Sequence, residues 1–310
     1  MTALTLGIRN PLMVSCCIMT DRHHRRSRHS TSNDIMSEKP KVAAVQMAAG
    51  PNVNANLIEV ERLIRDAADS GLGLVVLPEN FAFMGRQDQD LLAIAEADGD
   101  GPVQTFLSTT ASRYGIWLVG GTIPLRSSTK QRVRATSLVI NDQGSRVARY
   151  DKMHLFDVNL PGADEHYEES AVIEPGNDAV VIDTPFGRLG IMVCYDLRFP
   201  ELARHMQGSG VELLAVPAAF TALTGKAHWD ILVRARAIEN LAYVIAAAQG
   251  GYHLSGRETH GHSMIVDPWG SVLAQVPRGS GCISAVIDRG FQDSVRRTFP
   301  ALRHRRLKCR

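Results

Sequence analysis

The sequence predicts one layered α/β domain, and three observations predict it. Several predicted strands, residues 72–77, 213–217 and 243–248 among them, are apolar at nearly every position, as strands are when both faces of a sheet are covered. Segments of helical period alternate with strands early in the chain, whereas hairpin-like strands dominate later. No Pro/Gly/Ser-rich linker and no repeat of fixed period divides the 310 residues. A chain 45% hydrophobic and 21% charged is globular rather than disordered, and at this length it can bury a sizeable core.

Element by element, residues 42–47 form a short apolar run suited to a buried strand. Residues 52–70 follow as a helix, with Leu57, Val60, Leu63, Ile64, Ala67 and Ala68 on one face. Gly71 closes that helix, and Pro78 stops the strand at 72–77. Helices are predicted over 88–96 and 103–114, then strands over 116–122, 135–140 and 147–150. The irregular stretch 153–178 is too long for a plain connector, and loops of that length usually carry function. Strands at 179–183 and 189–193 lead to a helix at 199–207, which Pro200 and Glu201 open. A strand at 213–217, a helix at 227–239 and strands at 243–248, 263–266, 272–276 and 283–287 complete the set.

Residues 1–35 do not read as fold. An apolar patch from Leu12 to Met19 precedes an Arg/His/Ser tract from Arg22 to Ser32, the reverse of a secretory signal's order. The expectation is a non-structural extension over 1–35, with an organelle presequence as the alternative, and a single domain over 36–310. Residues 1–40 carry six Lys/Arg against three Asp/Glu, so of the net charge of +2 the remainder is close to neutral. A nucleic-acid partner is therefore not expected, since phosphate binding needs clustered positive charge. The basic end from Arg303 to Lys308 reads as a solvated tail. No run approaches the ~20 apolar residues of a membrane span. Cysteines at 16, 17, 194, 282 and 309 form neither a paired framework nor a CxxC pattern, which suits a reducing, cytoplasmic setting.

Cys194 lies where the apolar strand Ile191-Met192-Val193 breaks before a helix. A thiol there would project from the sheet edge near a helix N-terminus, which favours the thiolate; its plainer reading is a small core hydrophobe. Glu79 and Lys152 also follow strands, and ligand crevices of open α/β sheets form beyond strand carboxyl ends. Each alone reads as a surface charge. Together, at equivalent strand ends, they read as a site. A thiol of pKa about 8.5 gives its proton to a glutamate of about 4.3 only at a cost of roughly 6 kcal/mol. Burial of Glu79 beside Phe81, Phe83 and Met84 would raise the acceptor, and Lys152 would lower the thiol. Lys152 and the backbone N–H of Tyr195 could then hold an oxyanion, and Glu79 could return the proton to a departing amine. His154, His228, His260 and His262 are the rival partners for Cys194, but none stands in a protease-like signature around it. His260 and His262 are expected to point the same way, without a third metal ligand. Asp157, Asp164, Glu165, Glu168 and Glu169 form an acidic loop cluster, by default a solvated face.

The stretches Val75-Val76-Leu77-Pro78-Glu79-Asn80, Tyr150 to Asp157, and Val193-Cys194-Tyr195-Asp196-Leu197-Arg198-Phe199-Pro200-Glu201 resemble, in order, the glutamate, lysine and cysteine motifs of the nitrilase superfamily of carbon–nitrogen hydrolases. The likeness covers nearly all of residues 41–307. It implies a four-layer α-β-β-α sandwich whose subunits pair through helices as a homodimer or larger homo-oligomer, with no metal or organic cofactor. It also implies Glu79 as general base, Lys152 as oxyanion stabiliser, Cys194 as nucleophile and Glu169 as a second glutamate that positions the lysine, with Glu168 as the alternative. The segments 227–240 and 260–270 resemble the Nit branch, and Cys-Tyr-Asp in place of the Cys-Trp-Glu of true nitrilases implies amides rather than nitriles. The expected activity is hydrolysis of an amide on a small carboxylate-bearing metabolite. Deaminated glutathione leads, and an ω-amidase acting on α-ketoglutaramate is the alternative. Tyr195 and Arg198 are the expected substrate contacts, Arg198 for a carboxylate unless it pairs with Glu201 or another helix residue. A non-catalytic binding protein on the same fold is the rival from another class.

Overall fold

A computed structural model describes residues 39–68, 71–160 and 166–307. The expected extension over 1–35, the end of the first predicted helix, Asp164, Glu165 and Lys308 lie outside the described residues. The first half runs β1 (Lys41–Gln46), α1 (Val53–Ala68), β2 (Leu72–Val76), α2 (Pro102–Tyr114), β3 (Trp117–Val119), β4 (Ile123–Arg126), β5 (Val133–Ile140), β6 (Arg146–Asp151), β7 (Asp157–Asn159) and β8 (His166–Glu168). Then come β9 (Val181–Thr184), β10 (Gly187–Ile191), α3 (Pro200–Gly208), β11 (Leu213–Ala218), α4 (Ala222–Asn240) and β12 (Tyr243–Ala248). The chain continues through β13 (Gly250–Tyr252), β14 (Glu258–His260), β15 (Ser263–Val266), β16 (Val272–Val276), β17 (Gly281–Val286) and α5 (Arg289–Thr298). Short 3-10 turns cover Asp88–Ile94, Glu169–Ala171 and Cys194–Arg198.

Two mixed sheets result. One has the order β17-β1-β2-β3-β5-β4, with β6 also on β5; the other has the order β16-β15-β12-β11-β10-β9. Period-two alternation assigns the faces. Along β1, Val42 and Ala44 join Leu74, Val76 and the strands of the second sheet in a shared core. Ala43 and Val45 instead join Val75 and Leu77 against Val60, Ile64, Leu107 and Ala111 of α1 and α2. On the far side, α3 and α4 bury Met206, Trp229 and Val233 against the second sheet. The layers are therefore α-β-β-α, which is why so many strands carry apolar residues on both faces. None of the described helices is long and apolar enough to cross a membrane.

The strand predicted at 116–122 departs from the structure in an instructive way. It ends at Val119 and resumes as β4, which the sequence reading lacked, and both pieces pair with β5. At the break Gly121 has φ of +51°, and a Cβ there would lie 2.1 Å from the Pro78 carbonyl oxygen. Only glycine lets the chain come so close to the residue before Glu79. Helix α4 begins at Ala222, earlier than predicted, because the Thr221 hydroxyl accepts the Thr224 N–H at 3.3 Å. Helix α5 was missed because it buries only Gln292 and Val295, too little for an apolar period. The predicted helix at 88–96 is a 3-10 turn, and the irregular stretch 153–178 contains the paired strands β7 and β8.

Candidate active site

Strand ends deliver three side chains to one place. Glu79 stands three residues beyond β2, Lys152 directly after β6, and Cys194 three residues beyond β10. The Glu79 backbone is pinned where its carbonyl accepts Gln249 Nε2 at 2.9 Å, while the N–H of Asn80, at φ +56°, donates to Thr122 Oγ1 at 2.9 Å. Cys194 has φ of +48°, a left-handed conformation that costs a non-glycine residue about 1–3 kcal/mol and persists only where its surroundings enforce it. The enforcing group is Asp196, fully buried. Its carboxylate accepts the Val193 N–H at 2.8 Å, Tyr150 Oη at 2.6 Å and the His154 N–H at 3.0 Å, and lies 2.7 Å from His154 Nδ1. Tyr150 and His154 bracket Lys152, so one carboxylate ties the cysteine elbow to the lysine strand. Burial and this carboxylate hold the Tyr150 phenol above its ordinary pKa.

At the centre, Lys152 Nζ lies 2.8 Å from Glu79 Oε1 and 2.7 and 2.9 Å from Oε1 and Oε2 of Glu169, and Glu169 Oε2 also accepts the Phe156 N–H at 2.7 Å. The sulfur of Cys194 accepts the Ala219 N–H at 3.5 Å, and Cys194 and Glu79 line the same cavity. Exposures of 2% for Lys152, 4% for Glu79 and 8% for Cys194 put these charges where water screens them little. Of the two candidate glutamates, Glu169 reaches Lys152, whereas Glu168 lines an outer groove.

The electrostatics correct one expectation. Burial alone would lower the Lys152 ammonium, but the carboxylates of Glu169 and Glu79 hold it well above the ordinary lysine range. Burial raises Glu169, Lys152 pulls it back and Glu79 pushes it up, with a net rise. Burial and the Glu79 charge together push the Cys194 thiol well above its usual value, against the opposite pull of Lys152 and the Ala219 N–H. The sequence reading had the thiol lowered. A 3-10 turn separates Cys194 from α3, and the sequence expectation counts Glu79 as a proton acceptor but not the upward push of its charge on the thiol. Burial and the Glu79 charge thus favour the thiol over the thiolate. Against a Cys194→Ala blank, ultraviolet thiolate absorbance should be absent at neutral pH and develop only above the ordinary thiol value of about 8.5. A step at or below neutrality would mean that Lys152 dominates.

The cavity that contains these groups is also lined by Tyr195, Arg198, Phe156, Tyr167 and Arg257. Arg198 does not pair with Glu201. Its guanidinium lies over Phe220 and Tyr195, with centroid distances of 5.0 and 5.7 Å, and 3.1 Å from His228 Nδ1. Burial lowers its pKa. Of the rival histidines, His154 engages Asp196 and stacks on Phe199, while His260 and His262 stack on one another at 4.2 Å. They do face the same way, but from the end of β14 and a left-handed residue beyond it rather than from one strand. Burial, His262 and Arg278 bring His260 down to about 4. Sequence reasoning missed Arg257, which lies between β13 and β14, strands too short to leave a periodic signal, and it missed the role of Asp196 although it quoted the residue.

Against known proteins, residues 41–297 match the carbon-nitrogen hydrolase family model. The chain is 42% identical over 267 residues to the deaminated glutathione amidase of Yersinia enterocolitica, covering 86% of this chain and 93% of that one. It is 36% identical over 309 residues to the human deaminated glutathione amidase, covering 99% and 93%. Among solved structures, yeast Nit3, a member of branch 10 of the nitrilase superfamily, superimposes with a TM-score of 0.79 at 34% identity, covering 87% of this chain and 98% of that one. The NitFhit protein of Caenorhabditis elegans superimposes with a TM-score of 0.80 at 37% identity; 86% of this chain is covered, but only 65% of NitFhit.

Proposed function

The chain belongs to the carbon–nitrogen hydrolase family, and from that premise we propose that it is an amidase that cleaves a small carboxylate-bearing amide through a thioester on Cys194. The observation that carries this reading is one buried ammonium, Lys152, held between the carboxylates of Glu79 and Glu169 in the cavity that also holds the Cys194 sulfur.

In this mechanism the Glu79 carboxylate takes the thiol proton as the C–S bond forms, because burial and the Glu79 charge disfavour a free thiolate beforehand. The carbonyl oxygen becomes an oxyanion, held by Lys152 Nζ and the backbone N–H of Tyr195. Glu79 then gives its proton to the departing nitrogen as the C–N bond breaks, leaving a thioester. Water that loses a proton to Glu79 attacks the thioester, the acid leaves, and the proton returns to sulfur. Glu169 fixes the ammonium through two hydrogen bonds and keeps it charged.

Arg198 supports a carboxylate on the acyl half, because among the described residues this half-buried cation forms no ion pair. The substrate we assign is deaminated glutathione, after the curated relatives of similar length. The reading extends to a cytoplasmic homo-oligomer. Support for assembly comes from Ile231 and Ile238 on α4, exposed together with Trp269 and Phe299, which meet edge to face. Rapid quenching with deaminated glutathione, followed by intact-mass and peptide analysis, should find an α-ketoglutaryl thioester on Cys194. Steady turnover with no adduct, or an adduct on another residue, would overturn the mechanism.

A further inference from the structure

We infer that Arg257 binds a carboxylate on the leaving-amine half of the substrate, so that the enzyme reads an acid at each end of the amide. The inference rests on the amidase reading and deepens it. Three cations line the inner cavity: Lys152, Arg198 and Arg257. Lys152 is committed to Glu79 and Glu169, and Arg198 lies on the cysteine loop, four residues from the nucleophile. Arg257 differs from both in belonging to two spaces at once. It lines the inner cavity and also an adjoining outer groove, and the two share Asn80, Asp88, Leu91 and Tyr167 as walls.

The direction of the leaving group follows from the proton it must collect. Its nitrogen has to lie beside the Glu79 carboxylate, and Asn80, the next residue, is one of the shared walls. The amine half therefore extends past Asn80 toward Arg257, while the acyl half stays with Arg198. Arg257 is prepared for an anion. Its guanidinium lies 4.7 Å from the centre of the Tyr167 ring, which fixes the plane of the fork. Among the described residues its carboxylate partner is Asp88, an ion pair at 3.8 Å that is longer than a hydrogen bond, so among those residues the fork's hydrogen-bonding positions stay open to a bidentate carboxylate. Such a group is what the C-terminus of a short peptide amine presents. A free ammonia leaving group presents none.

The test uses full-length enzyme, Arg257→Gln, and three substrates: deaminated glutathione, the same compound with its C-terminal carboxylate converted to a carboxamide, and α-ketoglutaramate. The inference expects the kcat/KM ratio of deaminated glutathione to α-ketoglutaramate to fall at least tenfold in the variant. The carboxamide should show the same deficit with wild type, and combining the two changes should add no further loss. A proportional fall on all three substrates, or no change in the ratio, overturns the role of Arg257 and leaves the amidase reading standing. Wild-type enzyme that does not prefer deaminated glutathione to α-ketoglutaramate overturns the substrate assignment and this inference together.

Discussion

Replacing Cys194 by alanine is expected to lower amide turnover by at least about 10⁴-fold, the order of loss seen when a covalent nucleophile is removed. The thioester cannot form without the sulfur, and Glu79, Lys152 and Glu169 would then surround nothing able to attack. The fold should survive. The change removes one atom, and surrounding hydrogen bonds to Asp196 hold the elbow independently of the side chain. A stability change within about 1 kcal/mol in urea is therefore expected. Residual turnover within tenfold of wild type would remove Cys194 from the chemistry and favour the rival view of a binding protein.

Lys152→Met should damage both activity and stability. The buried ammonium bridges the buried carboxylate of Glu79 and the part-buried one of Glu169 at 2.7 to 2.8 Å, and deleting one partner of a buried ion pair costs about 3–5 kcal/mol. Turnover should fall by at least about 10²–10³-fold through loss of the oxyanion donor alone. Adding Glu169→Gln to Lys152→Met should recover part of the stability, by removing the charge left unpaired, and none of the turnover. No recovery would mean that the lysine stabilises by packing instead. The pH dependence has a definite sign. The lysine's pKa is raised on folding, so its contribution is fully present below the unfolded value of about 10.4 and lost as pH climbs through the higher folded one. On the alkaline side, the difference between wild type and variant should therefore narrow only in strong alkali.

Local pattern made much of the architecture legible. Strands β12, β15 and β16 have the predicted bounds, because a short apolar run between turn residues leaves few places to start or stop. Legibility failed where burial was slight, as in α5, or where a close approach from elsewhere interrupted a good strand, as Pro78 does at Gly121.

The site divides in the same way. Residue types and their positions beyond strand ends were enough to single out Glu79, Lys152 and Cys194, since such placement is a local property of strand and turn. The sign of the thiol's pKa shift, the contact of Glu169 rather than Glu168 with Lys152, and the presence of Arg257 all needed the assembled molecule. Lys152 meets a carboxylate 73 residues away, and buried charges act through distances in space that sequence spacing does not encode. Period and propensity set where each strand stops; only packing two sheets together decides which charges then face one another.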